Sequence, residues 1–443
     1  MRTLIHNCRI YADGRVVENC YLLVDAPFIS DLGVDDVTVS SYDVKLNAQG
    51  RLLIPGLIDV HVHLRDQQLS YKEDFRSGTA SAALGGVTSV IDMPNNLPPT
   101  DTPSRLIERI NLAKERILAN VGFACKPSLN HEVNIELARA GAIAFKVFVY
   151  EYMNCGTIDL YSIDNVMSSI SKVNRVLMLH CNVKSSFPEA LELAKKKNMA
   201  KLCRVEKKLT ENVLSIAKAH GVKLHFCHVS SPKAAEVINL QRGSIHATCE
   251  ATIHHLFLDY TVLEKFGSLA HVDPPLKSKF TARLLFDKLR RGVIDMVVSD
   301  HAPHALAEKC GEDPKPGFPN LQLMMPMLMT QVKRGRLTLD FVVERGSAKP
   351  AEIFGVEKRG ALRKGYYADL VELDLKRRLK VKSELLVSKA KYTPFEGMTL
   401  VGVPVRTYVN GLCVNDDYTI VGRGGEGTIL LPGDACGVGK ASA

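Results

Sequence analysis

The chain has 443 residues, of which 46% are hydrophobic and 24% are charged, and its formal net charge is +9. This composition excludes a disordered, fibrous or small disulfide-stapled protein, because it supplies enough apolar surface for one large core and a smaller one. The eleven cysteines are scattered without paired spacing, so we expect reduced thiols. No apolar run is as long as a membrane span, and the first residues lack the apolar segment of a signal peptide, so we expect a cytoplasmic chain that binds no membrane.

The positive charge is spread along the chain and is not concentrated in one basic segment. The densest runs, at 195–197, 204–208 and 376–380, are short and carry no interleaved aromatic side chains. We therefore expect no nucleic-acid partner, and a mildly basic surface that can help to attract a small anionic substrate.

Two kinds of pattern divide the chain, and together they predict an α/β fold. Residues 1–55 read as short antiparallel strands, with a turn at Ala12-Asp13-Gly14. From residue 56 to 365, short apolar runs alternate with amphipathic stretches, which is typical of parallel strands covered by helices. Eight such units fit this length, so we predict a (β/α)8 TIM barrel as the catalytic domain over 56–365. Strand character returns in 366–443, and we predict that this segment joins 1–55 in a small composite β-sandwich domain.

The candidate chemistry lies where the apolar runs end. His61 and His63 are separated by one residue in a predicted strand, so both imidazoles point to the same face and can reach one metal ion. Such a pair alone is also compatible with chance polar residues on a strand. Metal binding becomes the better interpretation because further polar residues follow other apolar runs, namely Lys146, His180, His228 and Asp300. Since catalytic residues of this barrel come from the carboxyl-terminal ends of its strands, we expect these side chains to meet at one rim.

Lys146 is flanked by apolar residues, at what we predict to be the end of a strand. A lysine buried in such surroundings tends to lose its proton, and the free amine can react with carbon dioxide to form a carbamate. The carbamate is an anionic bridge with two oxygen atoms, which a pair of divalent cations needs when the other ligands are mostly neutral histidines. Taken singly, each residue also has an ordinary interpretation: a snorkelling lysine, a core histidine or an aspartate that caps a helix.

Seven segments carry a specific combination of motifs: PGLIDVHVHLRD, YKEDFRSGTASAALGGVTSVIDMPNN, AFKVFV, LHFCHVS, ATCEATIHHLFL, SDHAPHALAEKCGEDPKPGFPNLQ and SKAKYTPFEGMTLVG. Over nearly its full length the chain resembles the amidohydrolase superfamily, and within it the dihydroorotases. The resemblance implies the barrel with a composite β sandwich, a binuclear zinc site, and the reversible cyclisation of N-carbamoyl-L-aspartate to L-dihydroorotate in pyrimidine biosynthesis.

The resemblance also implies how the metal ligands are divided. One zinc ion would be held by His61, His63 and Asp300, the other by His180 and His228, with N6-carboxylated Lys146 as the bridge. Asp300 would also be catalytic, taking a proton from the attacking hydroxide and handing it to the departing ring nitrogen.

The free carboxylate of the substrate would be bound by Arg65, Asn95 and His304. A guanidinium offers a fixed fork of donors that matches a carboxylate, and the amide and imidazole add further donors. The alternative for Arg65 is a salt bridge with Asp66 or Asp74, and the alternative for Asn95 is a role in a turn.

Some positions depart from the pattern of the relatives. Gln67-Gln68-Leu69 replaces a Pro-Gly pair, which leaves the shape of that loop open. Asp273 stands where relatives carry Asn or Arg, and its carboxylate would repel an anionic substrate unless it is protonated or paired, with Lys277 or Lys279 as candidates.

Two smaller uncertainties concern individual residues. The loop after Lys146 lacks a Thr-Phe pair that closes over substrate in some relatives, and Tyr152 or Thr157 could substitute for it. Cys227 and Glu250 match positions that hold an additional zinc ion in some relatives, which we treat as a minor alternative.

Two other functions remain open at this point. Another cyclic amidohydrolase, of the allantoinase or dihydropyrimidinase type, would share the metals but would not need Arg65 and Asn95 to grip a carboxylate. A non-catalytic scaffold for an aspartate transcarbamoylase would be expected to have lost metal ligands, and none is missing here. The sequence leaves open a homodimer, a transcarbamoylase partner and the identity of the metals.

Overall fold

The structure is a computed structural model that describes residues 2–34, 41–152, 160–196 and 198–432. Its strands are β1 (Arg2–Ala12), β2 (Arg15–Asp25), β3 (Phe28–Val34), β4 (Val44–Asn47), β5 (Leu52–Pro55), β6 (Leu57–Val62), β7 (Val87–Asp92), β8 (Asn120–Cys125), β9 (Ala144–Tyr152), β10 (Val176–Lys184), β11 (Lys223–Phe226), β12 (Ala247–Thr252), β13 (Met296–Val298), β14 (Leu370–Lys380), β15 (Thr399–Val409), β16 (Leu412–Asp416) and β17 (Thr419–Ile420). Its α-helices are α1 (Phe75–Leu84), α2 (Pro103–Lys114), α3 (His131–Arg139), α4 (Leu160–Ser171), α5 (Phe187–Lys195), α6 (Ala200–Ala217), α7 (Pro232–Gln241), α8 (Ile253–Phe257), α9 (Val262–Phe266), α10 (Lys279–Arg290), α11 (Leu306–Cys310), α12 (Met324–Lys333), α13 (Leu339–Val343) and α14 (Lys349–Phe354).

Strands β6 to β13 form the barrel, as the alternation of apolar and amphipathic segments predicts. They pair in chain order, all in parallel, and helices run between successive strands. A further parallel bridge between Val62 and His301 brings the last strand back to the first. Every residue of β6, β7 and β8 is buried, because one face of each strand meets the barrel interior and the other meets the helices.

The helices begin at residues whose side chains accept a hydrogen bond from the first turn. Asp74 caps α1, Thr102 caps α2 and Ser231 caps α7. The last two are followed by proline at the first helical position, where its missing N–H is not needed. These local signals fix where each helix leaves the rim, and so they set the loops that carry the candidate site.

Strands β9 and β10 differ from the sequence prediction. They pair along their whole length, from Ala144 opposite Val176 to Tyr152 opposite Lys184. The prediction that Lys146 ends a strand is therefore wrong, since it is the third residue of β9 and the strand continues through what we expected to be a loop. The reason is that residues 147–152 are mostly β-branched or aromatic, which favours a continued ladder on an available partner strand.

The remaining strands form a sheet that draws on both ends of the chain, as predicted. Its order is β17-β16-β15-β14-β5-β1-β2-β3, and β4 pairs with the first half of β1 while β5 pairs with the second half. The junction between the two chain ends is the antiparallel pairing of β5 with β14. A separate apolar cluster that includes Leu22, Leu53 and Leu370 packs on this sheet.

Two further observations concern the described part of the chain as a whole. No described helix combines the length and the apolar character that crossing a membrane requires. The nine cysteines among the described residues all carry free thiols, and seven of them are buried. They therefore act in packing, as their scattered spacing predicts.

Candidate active site

A cavity of about 200 Å³ lies at the carboxyl-terminal ends of the barrel strands. It is lined by His61, His63, Arg65, Asn95, Phe148, Tyr150, His180, His228, Val272, Asp273, Asp300, Ala302, His304, Lys315, Pro316 and Gly317. The structure therefore brings together eight of the nine site residues that the sequence predicts. The ninth, Lys146, contacts His61 behind this lining.

His61, His63 and Asp300 form a compact group of ligand atoms. Oδ1 of Asp300 lies 3.4 Å from Nε2 of His63 and 3.6 Å from Nε2 of His61. The ligand atoms of the three residues all lie within 4.8 Å of one another, and all three residues are buried. Two imidazoles and one carboxylate at this spacing are a donor set that zinc accepts.

The outer nitrogen of each of these two imidazoles is already engaged. Nδ1 of His61 lies 2.5 Å from Oε1 of Glu250, and Nδ1 of His63 lies 2.6 Å from Oδ1 of Asn95. Each Nδ1 therefore donates a proton to its partner, because both partners are acceptors, and Nε2 is the nitrogen that faces Asp300 and that a cation can reach. Histidines that ligate metals are usually oriented in this way, so the arrangement fits a cation at the Nε2 atoms.

His180 and His228 form the second part of the cluster. Their ring centroids lie 4.4 Å apart, and the His228 ring lies 5.1 Å from that of His61. The buried Nε2 atom of His180 makes no hydrogen bond to a described residue, and Oδ2 of Asp273 lies 3.5 Å from it. Since a buried polar atom without a partner is costly, a ligand such as a metal ion is a physical reason for its position.

The protonation tendencies of the cluster also fit a cation. Burial lowers the pKa values of His180 and His228 well below the ordinary value, and it lowers the pKa of His63 to about 4, so these imidazoles are neutral ligands. Burial and Lys146 also act against a charge on His61, but the nearby carboxylates of Glu250 and Asp300 outweigh them and raise its pKa to about 10. The negative charges of Glu250 and Asp300, which favour a protonated His61, would be balanced equally well by a bound metal cation.

Lys146 is the least expected side chain at this depth. It is 1% exposed, its Nζ lies 3.5 Å from Nε2 of His61, and it has no carboxylate partner among the described residues. The predicted snorkelling alternative is excluded, because the ammonium does not reach solvent. A buried ammonium that has no carboxylate partner and lies beside metal ligands is unfavourable.

Arg65 presents a buried guanidinium to the cavity. It is 5% exposed, its Nε donates to the carbonyl oxygen of Pro303 at 3.2 Å, and it has no carboxylate partner among the residues that the structure describes. The salt bridges considered as alternatives are not formed, because Asp66 pairs with Arg116 and Asp74 with Lys389. The guanidinium is therefore available to an anionic ligand.

His304 lies beside Arg65 and is held by a network that the sequence does not reveal. Its Nε2 lies 3.2 Å from Nη2 of Arg65 and its Nδ1 lies 3.3 Å from Nζ of Lys72. Lys72 in turn pairs with Glu308 at 2.7 Å. Burial and the cations of Arg65 and Lys72 lower the pKa of His304, so it is neutral at physiological pH. Lys72 belongs to the KED motif, so this motif supports the site through the contact between Lys72 and His304.

Asp273 faces the cavity, as the sequence suggested. Its Oδ2 lies 3.5 Å from Nε2 of His180. The ammonium of Lys277 donates to the carbonyl oxygen of Pro275 at 2.9 Å, and Lys279 is exposed.

Some cavity residues were missed by sequence reasoning, and others lie outside the described part of the chain. Phe148 and Tyr150 flank the His180 ring at centroid distances of 5.2 and 4.7 Å, and residues 315–317 also line the cavity. The β-rich run after Lys146 and the Pro-Gly step in the 315–317 segment were the available signals. Thr157 and the side chain of Tyr152 lie outside the described residues.

The additional metal position considered for Cys227 and Glu250 is also a compact group. Their ligand atoms and those of His61 lie within 4.8 Å of one another. The carboxylate of Glu250 already accepts hydrogen bonds from three groups, Nδ1 of His61, Nε2 of His225 at 2.9 Å and the backbone N–H of His228 at 3.0 Å. These hydrogen bonds give the buried Glu250 a structural role, because it holds the side chain of His61 and the backbone of His228 in the site.

Comparisons with known proteins agree with this geometry. Residues 52–414 match the model of the amidohydrolase family. The chain is 32% identical over 434 residues to a dihydroorotase of Methanosphaera stadtmanae, covering 94% of this chain and 97% of that protein. It is 31% identical to a dihydroorotase of Pyrococcus furiosus, covering 93% and 92%. Among solved structures, L-hydantoinase (dihydropyrimidinase) from Arthrobacter aurescens matches with a TM-score of 0.88 at 28% identity, over 97% of this chain and 99% of that one. The chain therefore belongs to the amidohydrolase family, as an enzyme similar to dihydroorotases over nearly its whole length.

Proposed function

We propose that this protein is a zinc-dependent dihydroorotase, which interconverts N-carbamoyl-L-aspartate and L-dihydroorotate in pyrimidine biosynthesis. The observation that carries the proposal is the buried Arg65 guanidinium, which lines the same cavity as the histidine cluster and has no carboxylate partner among the described residues. Both proposed substrates carry a free carboxylate that takes no part in making or breaking the ring amide, and a buried guanidinium needs such an anion. The similarity to curated dihydroorotases supports the same assignment.

The proposed metal ligands are the residues whose geometry fits a cation. His61, His63 and Asp300 would hold one zinc ion, His180 and His228 the second, and N6-carboxylated Lys146 would bridge them. When bound, the metals supply a hydroxide at neutral pH and polarise the amide carbonyl.

The other steps belong to side chains of the chain itself. Arg65, Asn95 and His304 bind the substrate carboxylate and so fix which face of the ring meets the histidine cluster. Asn95 can do so through its amide N–H groups, because its Oδ1 is engaged by His63. In ring opening, Asp300 takes the proton of the attacking nucleophile and passes it to the ring nitrogen as the C–N bond breaks. In ring closure it must begin protonated, so lower pH favours cyclisation.

A hydantoinase or dihydropyrimidinase function is the second candidate. It is favoured by the similarity to the solved L-hydantoinase, which extends over nearly the whole of both chains. Such substrates lack the ring carboxylate, so this function leaves Arg65 without a ligand. A non-catalytic scaffold is a poorer explanation, because Lys146, Asp300 and all four histidines converge at one site.

The experiment is to assay purified zinc-loaded protein with L-dihydroorotate and with dihydrouracil, which lacks the carboxylate, and to repeat both assays after removing metal with a chelator. We expect turnover of dihydroorotate alone, its loss after chelation and its recovery with zinc. Preferential turnover of dihydrouracil would instead establish the second candidate. No turnover of either substrate by protein with two bound metals would reject both.

A further inference from the structure

One wall of the cavity is a loop that follows β13 and contains the short helix α11. Three of its residues, Lys315, Pro316 and Gly317, line the cavity together with His304 from the start of the loop. Gly317 is packed very closely against the loop's own beginning, with φ at +124° and a position at which a Cβ atom would lie 2.5 Å from the carbonyl oxygen of Ala302. The two ends of the loop therefore have little freedom to move relative to each other.

Lys309, on α11, points inward beneath this loop. The side chain is fully buried, and its ammonium donates to three backbone carbonyl oxygens, of His271 at 2.9 Å, Lys315 at 2.8 Å and Gly317 at 2.9 Å. No carboxylate pairs with Lys309 among the described residues. Three N–H groups thus meet three acceptors, which is the complete hydrogen-bonding capacity of an ammonium.

The three carbonyl groups come from both sides of the cavity. Lys315 and Gly317 belong to the loop, whereas His271 directly precedes Val272 and Asp273 on the neighbouring wall. The backbone N–H of Gly317 also donates to the carbonyl oxygen of His271 at 2.9 Å. Lys309 therefore joins the two walls together with this backbone hydrogen bond, and it does not itself line the cavity.

We infer that Lys309 is a positioning residue, which sets the distance between the 315–317 wall and the Asp273 wall. It thereby places His304, whose Nε2 lies 3.1 Å from the carbonyl oxygen of Pro316, for the substrate carboxylate. The inference rests on the proposed function for the identity of that ligand. A methionine of similar length at this position would remove one donor from each of the three carbonyl oxygens. The oxygen of His271 would keep the N–H of Gly317, and the oxygen of Gly317 would keep the Tyr392 hydroxyl at 3.5 Å. The buried oxygen of Lys315 would have no donor left among the described residues, so the loop would move until water or another donor reaches it.

The test compares full-length, zinc-loaded wild type with Lys309→Met and with Lys333→Met, which removes an exposed lysine at the end of α12. For Lys309→Met we expect KM for dihydroorotate to rise about ten- to a hundredfold, because small displacements of binding groups have effects of this size. The kcat value and the metal content should change little, since no metal ligand is touched. Lys333→Met should match wild type in all three quantities. An unchanged KM for Lys309→Met would overturn the inference.

Hydrogen exchange provides a readout that needs no substrate. We expect Lys309→Met to speed amide exchange about tenfold in peptides covering 301–318 and 270–276 and to leave the other peptides unchanged. Faster exchange throughout the chain would show general destabilisation and contradict a local positioning role. If wild type does not act on dihydroorotate, the proposed function fails, and the exchange result still decides whether Lys309 joins the two walls.

A second variant covers the case in which Lys309→Met does not fold. Lys309→Arg keeps the charge and the donors but places a larger, planar group among the three carbonyl groups. The walls must then move apart, so KM should again rise while kcat is retained. A folded Lys309→Arg protein with the KM of wild type and unaltered exchange in 301–318 would refute the inference.

Discussion

Replacement of Arg65 by methionine is the most direct test of why the cavity contains a buried guanidinium. Methionine fills a similar volume and removes the charge and all five donors. Arg65 has a φ of +54°, and both residues carry a Cβ atom, so the backbone strain is the same before and after the change. The metal ligands His61 and His63 keep their own contacts to Glu250 and Asn95.

The size of the effect follows from the burial of the site. Arg65 is 5% exposed, so solvent cannot replace it as the partner of a bound carboxylate. Hydrogen bonds to charged groups contribute about 1.5–3 kcal/mol each, and a guanidinium can make two to one carboxylate. Taking about 1.5 kcal/mol for each of the two hydrogen bonds, we expect the free energy of substrate binding to weaken by about 3 kcal/mol. At about 1.4 kcal/mol per factor of ten, this raises KM by more than about a hundredfold.

The assay follows the ring amide of dihydroorotate by ultraviolet absorbance, and metal content is measured on the same samples. Arg283→Met is the matched control, since Arg283 is exposed on α10 and does not line the active-site cavity. Its KM should equal that of wild type. An Arg65→Met protein with two bound metals and an unchanged KM would show that the carboxylate binds elsewhere, and would remove the main support for a dihydroorotase.

Four other changes test separate parts of the site. Lys146→Ala is expected to lose at least one metal and nearly all activity. Partial rescue of activity and of metal content by added acetate would show that the lost group is an anionic bridge between the metals. Asp273→Asn should keep or lower KM for dihydroorotate because it removes a like charge, whereas a large fall in kcat would show that Asp273 has a role of its own. Burial opposes the charge on Glu308, but Lys72 and the backbone N–H of Ala305 outweigh it and hold its pKa below the ordinary 4.5. The ionised Glu308 therefore stabilises the folded protein fully at neutral pH, and this stabilisation is lost as the pH falls through the lowered pKa. Glu308→Gln should lower the free energy of unfolding by about 1 kcal/mol at pH 7 and by nearly nothing in acid, as measured by urea denaturation. Gly317→Ala should destabilise the protein by about 1–3 kcal/mol more than Gly335→Ala in thermal unfolding. The φ of Gly335, +66°, lies in the left-handed helical region, whereas Gly317 has a φ of +124°, outside that region, and a carbonyl oxygen 2.5 Å from its Cβ position.

Much of the fold and of the site could be predicted from local sequence patterns. The alternation of apolar runs and amphipathic stretches predicts the barrel because it reflects the burial of each strand on both faces. The positions of His61, His63 and Asp300 follow from the same pattern, since a polar residue at the end of a buried strand must lie at the rim. Lys146 could be singled out because an ammonium inside an apolar run contradicts its surroundings.

The features that were missed depend on partners distant in sequence. Nothing within residues 247–252 shows that Glu250 accepts hydrogen bonds from both His61 and His225. The extension of β9 was missed because a strand continues only when a neighbour pairs with it, and that neighbour is residues 176–184. Lys309 was likewise unremarkable in sequence, since its three acceptors are backbone carbonyl groups, which every sequence contains.

The charge balance of the cavity explains how an acidic Asp273 is compatible with an anionic substrate. Four charged side chains line it, and the cations Arg65 and Lys315 balance the anions Asp273 and Asp300. Two divalent cations would add four positive charges, and conversion of the Lys146 ammonium to a carbamate would remove two of them. The loaded site would therefore attract anions in spite of Asp273. Attraction would come mainly from the metals, whereas Arg65 would select the anion whose carboxylate fits its donors. Loss of Arg65 should then weaken dihydroorotate binding far more than binding of a small inorganic anion, while loss of metal should weaken both.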